Sequence, residues 1–237
     1  MDRRLWGPLT AEAAGTFLFF FVGVGAVIVN TGTDGGVGLV GIALAHGLVL
    51  GVLVSAMGAV SGAHFNPAVT LGVWIAGRIA SRTAVTYVIA QLAGALVAGL
   101  TLRAIFAESM WVPAQLGTPA LGLGFGPVAG IAVEAILTMV LLFAVFGTAI
   151  DPRAPKIGGL AIGLAVAADI LIGGPVTGAA MNPARWFGPA VAGGYFDNWY
   201  VWIIGPVIGA AVAAAIYRGV LAEEADLERT PGSPEPS

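Results

Sequence analysis

Asparagine precedes Pro-Ala twice in this chain of 237 residues, at Asn66-Pro67-Ala68 and at Asn182-Pro183-Ala184. Each triplet sits in a longer repeat: SGAHFNPAVTLG at 61–72 returns as TGAAMNPARWFG at 177–188, identical at six of twelve positions. The chemistry on offer is hydrogen bonding rather than bond-making. A side-chain amide carries two N–H donors and an acceptor oxygen, and Arg185, directly after the second triplet, adds five donors and a fixed charge. Two carboxylates, Glu12 and Glu134, lie in apolar surroundings and are matched in context: AEAAGT at 11–16 answers VEAILT at 133–138, each with Thr four residues after Glu. The chain has no cysteine, which removes disulfides, thiol catalysis and Cys-ligated metals together. No nucleophile–base pair, metal cluster or phosphate loop stands out, so neither an enzyme nor a bound cofactor is expected.

The scaffold that must position these groups is apolar. The chain is 58% hydrophobic and 10% charged, against roughly 25% charged in average soluble chains. So few charges cannot cover a wetted surface, which makes an integral membrane protein the expectation. A net charge of -3 offers no basic field for nucleic acid. A hydrocarbon core of about 30 Å takes about 20 apolar residues per helix, and six runs meet or approach that length: about 8–29, 37–60, 84–106, 128–150, 157–174 and 199–221. The first run is too long for the ~7–15 apolar residues of a signal peptide, and is read as a span. Two further stretches, 66–76 and 182–192, hold 11 residues each and reach about 16 Å, half a bilayer. Glycine-rich segments such as GLVLG (47–51) and GGLAIG (158–163) suit close helix approach in lipid. The segment from 222 to 237 is acidic and Pro-rich, and is expected to be a disordered cytoplasmic tail.

With the N-terminus inside, Arg3, Arg4, Arg78, Arg82, Arg153, Lys156, Arg218 and Arg229 fall in cytoplasmic segments, leaving Arg103 and Arg185 outside. Both termini are then cytoplasmic. The repeat extends to QLAGALVAG (91–99) and GPVIGAAVA (205–213). Each half has three spans, so the second half enters the membrane upside down, the mark of channels and transporters with a midplane site. Asn is a good N-cap and Pro suits the first helical position. Each Asn-Pro therefore starts a half-helix, preceded by an extended re-entrant loop, SGAHF or TGAAM. The half-helices enter from opposite faces and meet N-terminus to N-terminus, each contributing about half a positive charge. Such a midplane repels cations and protons and accepts a neutral molecule. The Asn oxygens are used in capping, which leaves their NH2 groups free to point at the permeant.

The paired Asn-Pro-Ala boxes, the context SGAHFNPAVT, the run NPARWFGPA at 182–190 and the six spans resemble the aquaporin (major intrinsic protein) family over about residues 8–221. The resemblance implies an all-α membrane protein with six transmembrane helices and two re-entrant half-helices. It has inverted halves at about 8–106 and 128–221 within one channel domain, 1–221. It further implies a right-handed bundle with one pore per protomer, assembled as a homotetramer. By the same resemblance the pore centre is Asn66, Pro67, Ala68, Asn182, Pro183 and Ala184, and a narrow outer selectivity filter is formed by His46, Ile170, Ala179 and Arg185. An arginine in an apolar re-entrant segment is costly against lipid and should face water. This filter lacks the Phe/His pair of strict water channels and the aromatic pair of glycerol facilitators. It looks most like plant tonoplast members.

The loop carbonyls of Gly62, Ala63 and His64, and of Gly178, Ala179 and Ala180, are expected to form an acceptor ladder in place of bulk water. His64 is expected to be structural or to wall the cytoplasmic half of the pore. Symmetry suggests that Glu12 and Glu134 each accept hydrogen bonds from backbone N–H groups of a re-entrant loop. Trp186 is expected to pack behind the filter. Asp169 reads either as an interfacial carboxylate or as the charge of the outer vestibule. The resulting expectation is a passive channel for water and small neutral solutes (ammonia, glycerol or urea), excluding protons and ions. Short termini without targeting features point to a multi-pass protein of a prokaryotic-type plasma membrane. A glycerol facilitator is the nearest rival. An ion-coupled secondary transporter is disfavoured because no acidic residue beyond the matched pair sits at midplane, and a structural junction protein because the filter arginine is present.

Overall fold

The structure is a computed structural model that describes residues 6–155 and 157–222. Among the described residues, eight helices carry the architecture. Six are long and apolar enough to cross a bilayer. In chain order with the rest they are α1 (Trp6–Gly32), α2 (Gly38–Ser61), α4 (Ser81–Ile105), α6 (Pro127–Val145), α7 (Gly158–Thr177) and α9 (Val201–Ile216). The two short ones are α3 (Pro67–Ile75) and α8 (Pro183–Gly193). A single-turn α5 (Glu108–Trp111) and a 3-10 turn, Gln115–Gly117, lie in the connection between the halves. Both α6 and α9 run on into a π-turn, Phe146–Ile150 and Tyr217–Leu221, and the rings of Phe146 and Tyr217 stack at 4.5 Å. Apart from Ala222, the segment expected to be a disordered tail lies outside the described residues, as do Arg3, Arg4, Lys156 and Arg229.

The packing obeys the internal repeat. Helix α1 packs on α2 and α4 as α6 packs on α7 and α9, and the short helices exchange halves: α3 lies on α9 and α8 on α4. The two halves join along α2 and α7, where the glycine clusters meet. A Cβ built on Gly47 would stand 2.5 Å from the Gly163 carbonyl oxygen, and one on Gly51 would stand 3.0 Å from that of Gly159. Without a hydrophobic drive between helices in lipid, such backbone-to-backbone approach supplies the dispersion contact that joins them.

The basic residues divide between the two ends of the bundle. Arg78 donates to the Tyr217 hydroxyl at 3.4 Å, Arg218 to the Ile75 carbonyl at 2.8 Å and Arg153 to the Leu221 carbonyl at 2.8 Å. These contacts gather one end. Arg103 donates to the Ala192 carbonyl at 2.7 Å at the other end, where Arg185 also lies.

Candidate functional site

Pro67 and Pro183 each occupy the first helical position of a short helix, and the preceding Asn caps it. The Asn66 Oδ1 accepts from the N–H of Ala68 at 2.8 Å and of Val69 at 3.4 Å. The Asn182 Oδ1 accepts from Ala184 at 3.0 Å and Arg185 at 3.4 Å. The amide groups are not wholly free, contrary to the sequence expectation. The Asn66 Nδ2 donates to the Met181 carbonyl at 2.9 Å, and the Asn182 Nδ2 donates to the Phe65 carbonyl at 3.0 Å. Each amide thus locks the opposite loop with one N–H and keeps the second for the space between. Buried backbone carbonyls need donors, and these reciprocal bonds supply them to Met181 and Phe65.

The loops themselves are not extended. Gly62, Ala63 and Phe65 in the first, and Gly178, Ala179 and Met181 in the second, have positive φ. Left-handed backbone at Ala, Phe and Met is unfavourable by about 1–2 kcal/mol per residue and persists where the surroundings fix it. Here the fixing group is a buried carboxylate. Glu12 accepts from the Ser61 hydroxyl at 2.7 Å, the N–H of His64 at 2.9 Å, the N–H of Phe65 at 2.8 Å and the Gln91 amide at 2.8 Å. Glu134 accepts from the Thr177 hydroxyl at 2.7 Å and from the N–H groups of Ala180 at 2.9 Å and Met181 at 2.6 Å. All partners are donors, as an acceptor-only carboxylate requires. With the loop N–H groups turned to the carboxylate, the carbonyls of Gly62, Ala63, His64, Gly178, Ala179 and Ala180 accept no hydrogen bond from the described residues.

Gly62, Ala63, His64, Ala179 and Ala180 line a continuous cavity through the bundle. It passes the caps Asn66 and Asn182, then runs between Val69, Val73 and Leu141 to Arg78 and Ile150 at one end. At the other end it reaches His46, Ile170, Ala179 and Arg185. A second cavity continues outward, bounded by Gly117, Thr118 and Gly178, and shares His46, Ile170 and Arg185 with the first. Those three side chains therefore stand between the two spaces.

Arg185, 4% exposed, donates from Nη1 to the Gly117 carbonyl at 2.8 Å and from Nε to the His46 Nε2 at 3.3 Å. Of its five N–H donors, two are so engaged, leaving three. The His46 Nδ1 lies 2.9 Å from the Ile42 carbonyl. A carbonyl only accepts, so Nδ1 bears the hydrogen and Nε2 is the acceptor of the Arg185 bond. Both ring nitrogens are committed. The imidazole is a fixed wall, and the unused polar atoms nearby are the arginine N–H groups and the loop carbonyls.

Comparison with known proteins bears on this geometry. The family model described as major intrinsic protein matches residues 2–217. The chain belongs to the major intrinsic protein family. Among curated relatives it is 46% identical to Aquaporin TIP4-4 of Zea mays, over 93% of this chain and 89% of that one. It is 44% identical to Probable aquaporin TIP3-2 of Arabidopsis thaliana, over 87% and 80%, and 41% identical to Aquaporin NIP1-1 of Zea mays, over 88% and 73%. Among solved structures it resembles the aquaglyceroporin from Plasmodium falciparum, with a TM-score of 0.79 at 25% identity, covering 90% of this chain and 96% of that one. As an aquaporin-family protein it is a multi-pass membrane protein and a passive channel for water and small solutes.

Within this major intrinsic protein, Trp186 is 7% exposed and packs among Ala180, Ala190, Val201 and Trp202, its Nε1 without a partner among the described residues. His64 lines the cavity, its Nδ1 3.1 Å from the Thr70 hydroxyl and its ring edge-on to Tyr87. Asp169 departs from both sequence readings. It is 3% exposed, lines neither cavity, and its Oδ2 meets no donor among the described residues. One residue from cavity-lining Ile170 is 100° around an α-helix, which turns the carboxylate from the lumen into the packed interior.

Three contributors escaped the sequence reading. The Gly117 carbonyl has no side-chain signal. Gln91, bonding both Glu12 and the Thr70 hydroxyl, shows in the sequence only as a lone amide within an apolar span. Gly23 is the third: a Cβ there would stand 2.6 Å from the His46 Nε2, so its lack of a side chain makes room for the imidazole.

Proposed function

We propose that water and small neutral solutes pass this channel in single file through a filter formed by His46, Ile170, Ala179 and Arg185. The supporting observation is that the two cavities have His46, Ile170 and Arg185 in common. A permeant there exchanges its hydration for the free N–H groups of Arg185 and the carbonyls of Gly178, Ala179 and Ala180. At the centre, the second N–H of Asn66 and of Asn182 donates to the same oxygen. That oxygen turns its hydrogens outward in both directions, so no proton wire crosses the midplane. The carbonyls of Gly62, Ala63 and His64 carry the file onward. Glu12 and Glu134 support the two loops.

The permeant set we propose is water first, ammonia alongside it, and glycerol and urea slower. One wall of the filter is aliphatic Ile170 and another is small Ala179, a wider opening than a histidine with a bulky partner would leave. We further propose one channel domain of two inverted halves over residues 1–221, assembled as a homotetramer in the plasma membrane. The end carrying Arg78, Arg82, Arg153 and Arg218 would then be cytoplasmic, in keeping with the excess of basic residues there.

Stopped-flow measurements on proteoliposomes with water, ammonia, glycerol and urea gradients test the reading. Ile170→His should narrow the filter and lower ammonia flux more than water flux. An unchanged ammonia-to-water ratio in that variant would remove Ile170 from the filter.

A further inference from the structure

The internal repeat makes the two re-entrant loops comparable residue by residue, and both are supported alike. Glu12 and Glu134 each hold one hydroxyl and two loop N–H groups. Behind the loops the halves differ. His64, Thr70 and Gln91 stand where the second half has Ala180, Trp186 and Gly205, and Tyr87, four residues before Gln91, answers Val201. In the second half Ala180, Trp186 and Val201 pack in one apolar cluster. In the first, imidazole, hydroxyl and amide form a hydrogen-bonded chain. The second loop is held without such a chain, so loop support alone does not account for it.

The chain has a direction, set by the groups that can only accept. The Glu12 carboxylate turns the Gln91 Nε2 toward itself at 2.8 Å, and the same NH2 donates to the Thr70 Oγ1 at 2.9 Å. The Thr70 hydroxyl has one hydrogen and gives it to the Asn66 carbonyl at 3.0 Å. Its remaining lone pair faces the His64 Nδ1 at 3.1 Å. Nδ1 must then carry the hydrogen of the neutral ring, which leaves Nε2 as a bare acceptor. Nε2 has no partner among the described residues, yet it is not among the sealed polar atoms, and His64 lines the cavity. The ring is backed edge-on by Tyr87 at 5.4 Å, whose hydroxyl is tied to the Ser61 carbonyl at 2.8 Å. Of the two histidines in the chain, His46 has both nitrogens engaged, so His64 alone can offer one to a permeant. We propose that Thr70, oriented by Gln91, fixes His64 as the Nδ1–H tautomer and so makes its Nε2 a side-chain acceptor for the permeant, a role that rests on the permeation path proposed above. A molecule leaving the Asn pair with its hydrogens outward then meets acceptors on this wall, the loop carbonyls and Nε2. The other tautomer would present an N–H and ask the passing oxygen to turn back.

Nitrogen-15 NMR of the histidine-labelled protein in lipid reads the tautomer independently of flow. At neutral pH His64 should show a protonated Nδ1 and a bare Nε2, its signals identified as those lost in His64→Phe. Thr70→Val should admit the Nε2–H form, Thr70→Ser should keep the Nδ1–H form, and the His46 signals should stay in place in both. Gln91→Met should give a mixture of the two forms. In stopped-flow measurements Thr70→Val should lower water permeability about fivefold, the equivalent of one neutral hydrogen bond, and Thr70→Ser should restore it. An Nε2–H or doubly protonated His64 in the unmodified protein, or a tautomer indifferent to Thr70→Val, overturns the assignment. The expected tautomer with unchanged flow in Thr70→Val would remove His64 from the permeant's contacts and overturn the proposal, while leaving the filter, tested by Ile170→His, as it stands.

Discussion

At the scale of single residues, the proposed permeation path is defined by what each polar atom has left after the protein has used it. Arg185 keeps three of five donors, His46 keeps none, and the loop carbonyls keep their lone pairs because two carboxylates have claimed the neighbouring N–H groups. Removing one carboxylate should therefore disturb a whole loop. Glu134→Gln turns an NH2 toward the N–H of Ala180 or Met181, and it loses charge-assisted bonds worth about 1.5–3 kcal/mol each. We expect a clear fall in thermal stability, read by tryptophan fluorescence or dye-reported unfolding. A variant melting with the unmodified protein would show that the loop does not depend on that carboxylate. Ala179 offers a cleaner probe of position. The chain has no cysteine, so mercurials should leave water flow untouched, whereas Ala179→Cys should be inhibited reversibly by them. If the thiol is labelled and flow persists, Ala179 is not at the narrow point.

At the scale of elements, helix faces and small residues set the proposed aperture. Gly23 on α1 lets the His46 ring lie back against α1, where Phe19 meets it edge-on at 6.0 Å. Gly23→Ala should push the imidazole toward the lumen and lower water permeability severalfold, and adding His46→Ala should restore it. Failure of that rescue would mean that the defect lies in α1 packing and not in the ring. Much of this scaffold was legible in the sequence, because apolar runs of bilayer length and an Asn-Pro helix start are local signals. What was illegible is non-local. Nothing around Ala63, Phe65 or Met181 announces a left-handed backbone; it is imposed by carboxylates 47 to 53 residues away along the chain. The second task of the Asn amides, bonding carbonyls 115 and 117 residues distant, is equally invisible until the halves meet. The glycines of α2 and α7 were read correctly as contact surfaces, yet only the fold names their partners. Asp169 shows the opposite failure: its neighbour lines the lumen, and sequence adjacency says little about facing on a helix.

At the scale of the whole molecule, the inverted halves put two helix N-termini face to face, and on the proposed reading this arrangement decides what the channel excludes. Flow should be passive: osmotic shrinkage of proteoliposomes should show a low activation energy and no dependence on a pH or sodium gradient. Solute accumulation against its gradient would contradict a channel altogether. Proton exclusion separates the contributions of the filter and the centre. On the proposed path Arg185 presents a full charge at one end, whereas α3 and α8 each present about half a charge at the middle, reinforced by the remaining Asn donors. Arg185→Val removes the first and leaves the second, because the caps of α8 come from Asn182 and the backbone. Larger neutral solutes should then enter more readily, with glycerol flux rising more than water flux, while proton leak, read by an entrapped pH dye under an imposed gradient, should rise only slightly. A leak in Arg185→Val comparable to that of a proton ionophore would move the barrier from the helix ends to the arginine. A large proton current in the unmodified protein would remove both, since neither the dipoles nor the outward-turned water could then be interrupting the file.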